Sequence, residues 1–371
     1  MAKSLHAVML PFPVQGGINP LIQLAHLLSQ REFFITFVNT EWCHRRKFDT
    51  GGYALQQAAE GFRFLTIPDG LPAEHGRLTD HLALNLRVSR VVFWTICAAL
   101  SISQFKAELS FSRGHIPVKL GEAKRPENVI TCLPGDYVLV NTVEELEGRE
   151  AVEALSINGC PAVAVGPLFL PNFLAQRAVV RSTRISSLKS SQQLKEIALG
   201  LENSQQPFLW VLRKDIAQGE PGVLPQGFIE RIRDRGLIVR WAPHVKVLSH
   251  PSVRAFLTHS GWNSVMESFS FGVPMLGWPY HMDQFLNCRF VKDVLKIGMD
   301  FEGVDVDEHK LVSREEVEKG VRSMMDCEEV RQRVLKLKET SIKAVNQGGS
   351  SFLNLNKFIQ EITQIAKSFD P

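Results

Sequence analysis

Apolar residues fall in short runs along this chain, separated by turn-forming residues. His6 to Phe12 is almost wholly apolar and of strand length, which predicts a buried strand. Pro13 to Asn19, with Gly16 and Gly17 in its middle, predicts a loop. Asn19 then stands as an N-cap and Pro20 as a first helical residue, where its missing N–H costs nothing. Leu21, Leu24, Ala25, Leu27 and Leu28 follow at helical spacing. Phe33 to Asn39 is the next strand. A strand–helix–strand unit predicts a parallel sheet in an α/β domain.

A second series begins after Val165-Gly166-Pro167. Gln193 to Leu201 reads as helix, Phe208 to Leu212 as strand, Phe228 to Arg233 as a short helix and Leu237 to Arg240 as strand. Val253 to Thr258 predicts strand, Asn263 to Phe271 helix and Met275 to Trp278 strand. Gly272 and Pro274 stop that helix. From Arg314 the pattern is one long helix, broken at Gly348-Gly349, and Phe352 to Phe369 is a last amphipathic helix. The expected fold is α/β, with two facing Rossmann-like domains. Their expected bounds are 1–165 and 166–350, with 351–371 a C-terminal helix packing back toward the first. Ligands in such sheets bind at the carboxyl ends of the strands.

Composition narrows the function classes. The chain has 371 residues, 44% hydrophobic and 22% charged, with a net charge of +3. Lys+Arg 42 and Asp+Glu 39 are interspersed, so no basic stripe for nucleic acid is present in the sequence. The strongest apolar stretch, Val91 to Leu100, is far short of the ~18–20 residues that span a bilayer. The N-terminus shows no charged region followed by a long apolar one, so no signal peptide is expected and the location expected is cytoplasmic. The six cysteines Cys43, Cys97, Cys132, Cys160, Cys288 and Cys327 form no CxxC pair. Reduced thiols are expected, and no zinc site. A monomer is expected.

Candidate chemistry concentrates between Trp241 and Gln284. A strand ending at Thr258 runs through a short loop into a helix near Asn263. Such a turn gathers backbone N–H groups and the positive end of a helix, which suits a pyrophosphate. Gly261 permits close backbone approach, and His259, Asn263 and Ser264 add side-chain donors. Simpler roles compete for several of these positions. Ser264-x-x-Glu267 is also a capping box, and Trp241 alone would more often be core than a platform for a base. The Trp262 indole is expected to pack the loop while its N–H serves a phosphate. His244 faces either a base or solvent. His250 and His281 are read as structural.

The same segment, WAPHVKVLSHPSVRAFLTHSGWNSVMESFSFGVPMLGWPYHMDQ, resembles the signature box of plant family 1 UDP-glycosyltransferases. The match runs through Trp241-Ala242-Pro243, His250-Pro251, His259 to Ser264, Glu267, Gly272-Val273-Pro274, Pro279 and Asp283-Gln284. Val140-Asn141-Thr142, Val165-Gly166-Pro167-Leu168 and Phe285-Leu286-Asn287 resemble other segments of the family. The resemblance implies the GT-B architecture. It implies that His259 contacts one phosphate of UDP-glucose, Asn263 and Ser264 the other, and Glu267 the ribose hydroxyls. Trp241 would stack on uracil, the Ala242 backbone would pair with its edge, and Asp283 and Gln284 would bind sugar hydroxyls. A terminal Gln goes with glucose donors. The implied reaction is inverting transfer of glucose to a hydroxyl of a small hydrophobic acceptor. UDP-glucose is a co-substrate; no cofactor and no metal are implied, and no DxD pair lies near the box.

Departures from the family's pattern cluster outside the box. Gly17 stands where active relatives carry the histidine that takes the acceptor's proton. The aspartate that orients that base has no convincing counterpart, Asp80 included. The strand with a Phe-Gly-Ser turn after Pro167 is replaced by a basic, serine-rich segment from Arg177 to Ser191, and a loop and helix are missing at Pro134-Gly135-Asp136. The alternative is therefore a catalytically impaired UDP-sugar binder. A UDP-sugar epimerase of similar architecture is disfavoured by the Asp283-Gln284 ending. Loss of a central parallel strand is expected to leave the sheets incomplete.

Overall fold

The computed structural model describes residues 5–11, 15–48, 61–68, 91–94, 137–156, 160–174, 191–212, 224–280, 283–304 and 310–368. The chain divides into two compact units, Met1–Val179 with Lys343–Pro371, and Val180–Ile342. Asp80, His281, Pro134–Asp136 and residues 177–190 lie outside the described residues.

In the first unit, β1 (His6–Met9), α1 (Gln15–Ser29), β2 (Phe34–Thr40), α2 (Glu41–Phe48) and β3 (Phe62–Ile67) follow one another. The three strands pair in parallel in the order β1-β2-β3. Ile35 and Phe37 of β2 are wholly buried in one core with Ile18, Leu24, Ala25 and Leu28 of α1. A second parallel sheet holds β4 (Val91–Trp94), β5 (Tyr137–Val140) and β6 (Ala162–Ala164). The short helices α3 (Glu144–Glu147), α4 (Arg149–Glu153) and α5 (Phe169–Leu174) complete this part.

Two expectations are corrected here. The loop predicted over Pro13 to Asn19 is helical from Gln15, so Asn19 is no N-cap and Pro20 lies inside α1. Burial of Gly17 and Ile18 begins the packing before Pro20, and it outweighs the one helical hydrogen bond that proline forfeits. Cys160, expected as a thiol, is disulfide-bonded, with its partner outside the described residues. Cys43, Cys288 and Cys327 belong to no disulfide.

The C-terminal helix (Ser350–Ser368) belongs to this first unit. Leu355, Phe358 and Ile359 enter the α1 core, and Phe358 meets Tyr137 edge-on with ring centroids 5.2 Å apart. Its polar side is tied down as well. Ser351 Oγ donates to the Gly166 carbonyl at 2.6 Å and Asn354 Nδ2 to the Ala164 carbonyl at 2.9 Å. One carbonyl ends β6, the edge strand of its sheet, and the other lies two residues beyond it, so the helix satisfies acceptors at that edge.

In the second unit, α6 (Ser191–Ser204), β7 (Phe208–Val211), α7 (Phe228–Ile232), β8 (Gly236–Val239), α8 (His244–Leu248), β9 (Phe256–Thr258), α9 (Trp262–Phe271), β10 (Met275–Gly277) and α10 (Gln284–Arg289) run in order. A π-helical turn, Phe290–Val294, extends α10, and β11 (Gly298–Asp300), α11 (Arg314–Asp326) and α12 (Glu328–Val345) follow. The single helix expected from Arg314 is two, because Cys327 leaves helical geometry at φ −82°, ψ 87°. Ser313 caps α11 through a reciprocal bond with Glu316, and Arg314 pairs with Glu196 of α6 at 2.7 Å. Gly200 lets α6 and α11 touch: a Cβ there would stand 2.5 Å from Val317 Cβ.

Among the described residues, the strands of this unit form two parallel ladders rather than one, β7-β8 and β9-β10-β11. Parallel sheets are normally covered on both faces. Leu237, paired with Leu209, is instead 60% exposed. No helix among the described residues is long and apolar enough to cross a membrane.

Replacing Phe358 by Ala is expected to destabilise the first unit by about 3–5 kcal/mol, the usual cost of emptying a buried aromatic site. Hydrogen exchange checks this by location. Protection at Ile35 to Asn39 should fall, while protection at Phe256 to Thr258 stays as in wild type.

Candidate UDP-sugar site

Strands β9 and β10 are parallel neighbours, so the loops leaving their carboxyl ends lie side by side. The Trp278 N–H donates to the Thr258 carbonyl at 2.7 Å and carries the pairing one residue past β10. The loop after β9 is three residues long. Ser260 is buried there at φ 62°, a left-handed conformation that costs a non-glycine residue of order 1–3 kcal/mol. Its N–H donates to Thr258 Oγ1 at 3.2 Å. Across from it, Gly277 carries no Cβ because one would collide with Cys288 Sγ and stand 3.0 Å from Ser260 Oγ.

Gly261 is the N-cap of α9 and makes no side-chain cap. Its carbonyl accepts from the N–H groups of Ser264 and Val265, at 2.8 and 3.1 Å. The N–H groups of Trp262 and Asn263 precede these first intrahelical bonds, at the positive end of the helix. A Cβ on Gly261 would stand 2.5 Å from His259 Nε2. The glycine is therefore needed for the histidine as much as for any ligand: the imidazole lies across the bare Cα. Burial pushes His259 down to about 4, and nearby His244 adds to this while Glu267 opposes it. At neutral pH His259 is thus an uncharged donor. It offers a phosphate a hydrogen bond without a cation.

His244 opens α8 and is only 9% exposed. The solvent-facing alternative for it is corrected. Nδ1 lies 2.5 Å from Glu267 Oε2, and Phe256 meets the ring edge-on at 4.8 Å. Glu267 is 3% exposed. The capping-box alternative is also corrected, since α9 begins at Trp262 and both Ser264 and Glu267 lie inside it. Trp241 keeps 43% of its surface exposed beside buried Ala242, as a stacking platform requires. The Trp262 indole is buried and meets Phe290 at 6.2 Å.

Asp283 is the N-cap of α10, and its Oδ2 accepts from Asn287 Nδ2 at 2.7 Å. Gln284 Oε1 accepts from the Tyr280 N–H at 3.1 Å. Both side chains are held at the loop after β10, in poses set by protein partners. Tyr280, whose ring lies 5.9 Å from His259, was missed by sequence reasoning; its place just past the end of β10 was the available signal. His250 is exposed, with Nδ1 accepting from the Ser252 N–H at 3.2 Å. Among the described residues no group of His, Cys, Asp and Glu is arranged to hold a metal ion. Gly17 belongs to the first unit. It is buried in the first turn of α1, past the carboxyl end of β1.

Residues 179–343 match the family model for UDP-glucoronosyl and UDP-glucosyl transferase. A 7-deoxyloganetin glucosyltransferase from Gardenia jasminoides is 30% identical, with 96% of this chain and 97% of the relative aligned. The chain belongs to the plant UDP-glycosyltransferases. Linamarin synthase 1 from Manihot esculenta is 29% identical, with 97% of each chain covered. The Phytolacca americana UGT2 structure, complexed with UDP-2fluoro-glucose and pterostilbene, aligns with a TM-score of 0.74 at 23% identity, covering 97% of this chain and all of that one. Medicago truncatula UGT71G1 complexed with UDP-glucose aligns with a TM-score of 0.71 at 23% identity, covering 97% and 99%. These establish the GT-B fold with two Rossmann-like domains. The Gardenia alignment runs over 481 positions against 371 residues here, so this UDP-glycosyltransferase is a shortened one.

Two outcomes are expected at this site. Gly261→Ala should lower UDP affinity by tenfold or more, because its methyl displaces His259; calorimetry reads this directly. The second concerns acid. A histidine held below its ordinary pKa takes up its proton only in the unfolded chain, so stability present above about pH 6.5 is lost as pH falls toward 4. His259→Asn should therefore lose less stability than wild type between pH 7 and pH 4.5 in urea titrations.

Proposed function

We propose that this UDP-glycosyltransferase takes UDP-glucose as donor and transfers glucose, with inversion, to a hydroxyl of a small hydrophobic acceptor, giving a β-glucoside. One observation carries the reading: the neutral His259 donor, the start of α9, the Glu267 carboxylate and exposed Trp241 belong to one compact unit, with Trp241 just past the carboxyl end of β8 and His259 and α9 just past that of β9. Trp241 stacks on uracil and the Ala242 backbone pairs with its edge. Glu267 takes the ribose hydroxyls. The α9 N–H groups with His259, Asn263 and Ser264 hold the pyrophosphate, and Asp283 and Gln284 hold the glucose. As the acceptor oxygen attacks the anomeric carbon, negative charge grows on the departing UDP, and preorganised donors at the end of α9 stabilise it. Those donors fill the role a cation would have, so the proposed reaction uses no metal and no cofactor. The curated relatives include glucosyltransferases of small molecules, which supports this donor and this acceptor class.

Gly17 favours a second reading, a UDP-sugar binder of low turnover. Glycine cannot take the acceptor's proton, and a missing general base typically costs ~10²–10⁴-fold in rate. Binding and positioning survive that loss. The test compares wild type with Gly17→His, using a reactive phenol at saturating UDP-glucose, with UDP calorimetry beside it. Glucosyl transfer should rise in the variant, short of the ~10⁴-fold ceiling, because an unsupported imidazole also samples unproductive rotamers and tautomers. UDP binding without transfer in either protein would establish the binder. Failure to bind UDP at millimolar concentration would remove both readings.

A further inference from the structure

Asn287 lies in α10, one turn past Asp283, and is wholly buried. The two polar atoms of its amide fare differently. Nδ2 donates to Asp283 Oδ2 at 2.7 Å. Oδ1 is buried as well, and it has no hydrogen-bond partner among the described residues. A buried acceptor left unpaired is costly, and native proteins keep few of them. Asparagine is also a poor helix former. Leucine, with the same branching, would suit a buried helical position better on both counts. A residue that breaks local rules beside a functional site commonly owes its place to that site.

The reason lies in the carboxylate that the amide holds. Asp283 is the N-cap of α10, but its side chain makes no cap bond, and its backbone is helical at φ −67°, ψ −11°. An N-cap aspartate ordinarily has an extended backbone and accepts from N–H groups of the first turn. Here Oδ2 is turned to the Asn287 amide instead. The main chain ties the two together as well, since the Asn287 N–H donates to the Asp283 carbonyl at 2.9 Å. An ionised carboxylate only accepts, so the amide must present Nδ2 to it; turned over, it would set Oδ1 against a second acceptor. The pose that leaves Oδ1 empty is therefore the pose that holds Asp283. Gln284 is held differently: its Oε1 accepts from the Tyr280 N–H, a main-chain group that substitution does not remove.

We propose that Asn287 is a positioning residue for the donor sugar: its buried amide holds the Asp283 carboxylate in the pose that receives the glucose hydroxyls. This rests on the donor reading above, in which Asp283 binds glucose, and extends it to a residue behind Asp283 that itself touches no ligand. A carboxylate without that support must be ordered when the sugar arrives, and the ordering cost is subtracted from affinity. The uracil, ribose and phosphates are met by other residues, so their binding is indifferent to Asn287. The share of donor affinity that comes from glucose is what the buried amide controls.

The test is calorimetry on the full chain with UDP and with UDP-glucose. Asn287→Leu should bind UDP within twofold of wild type and UDP-glucose at least tenfold more weakly. Its melting temperature should not fall, since leucine leaves no unpaired acceptor and favours the helix. Asn287→Ser keeps a shorter donor, so it should lose less affinity for UDP-glucose than Asn287→Leu. Asp283→Ala should also weaken UDP-glucose binding, and adding Asn287→Leu to it should weaken binding no further, because the second residue acts through the first. If Asn287→Leu does not fold, Asn287→Ser carries the test in the single and the double variant with the same two ligands. Equal losses for UDP and UDP-glucose, or additive losses in the double variant, would overturn the positioning role and leave the donor site standing. Asp283→Ala that binds UDP-glucose as wild type does would remove Asp283 from the sugar and the positioning role with it. Wild type that binds neither ligand would overturn the donor reading itself.

Discussion

The parallel pairing of β9 with β10 is the contact on which the nucleotide site depends. Each strand is only three residues long, and the Trp278–Thr258 bond extends the ladder just beyond them. That pairing sets the loop of His259 and Gly261 beside the loop that leads to Asp283 and Gln284. Two missing side chains keep the loops close. Without a Cβ at Gly277, Cys288 and Ser260 pack against the strand; without one at Gly261, His259 Nε2 comes up against the backbone. The strained Ser260 backbone persists because these neighbours leave it no room to relax. The geometry proposed to bind phosphate is therefore built into the core of the unit.

Much of this was legible in the sequence. The second unit's strands and helices fall close to where apolar runs, Gly272 and Pro274 put them, because short parallel strands and their helices differ clearly in period and punctuation. The signature box named the candidate site residues, of which the structure brings His244 and Glu267 into contact. What the sequence hid were relations between distant side chains. Nothing local distinguishes a solvated His244 from one bonded to Glu267, twenty-three positions on. The Ser264–Glu267 spacing satisfied a capping pattern that the actual start of α9, set by Gly261, left unused. At α1, local proline and asparagine signals were overruled by the core, which takes up Ile18 and so pulls the helix back to Gln15. The disulfide at Cys160 left no CxxC pair in the sequence to signal it.

The two units differ in what they hold. The second carries the candidate polar groups His259, Asn263, Ser264 and Glu267. The first carries Gly17, and its strands form two sheets among the described residues where one continuous sheet would be the usual arrangement. In the proposed reaction the second unit would stabilise the leaving nucleotide and the first would take the acceptor's proton, so a weakened first unit would lower rate before affinity.

The C-terminal helix places a constraint on how the protein is made. Phe37 leaves the ribosome well before Leu355, Phe358 and Ile359, which share its core. At ~5–20 residues per second, the roughly three hundred intervening residues take tens of seconds to synthesise. Throughout that time the nascent first unit lacks part of its interior and exposes apolar surface to the translating cell. The second unit, whose segments are contiguous in sequence, has no such wait. Order of synthesis and order of closure are therefore inverted: the unit whose strands are made first closes only after the other has been made.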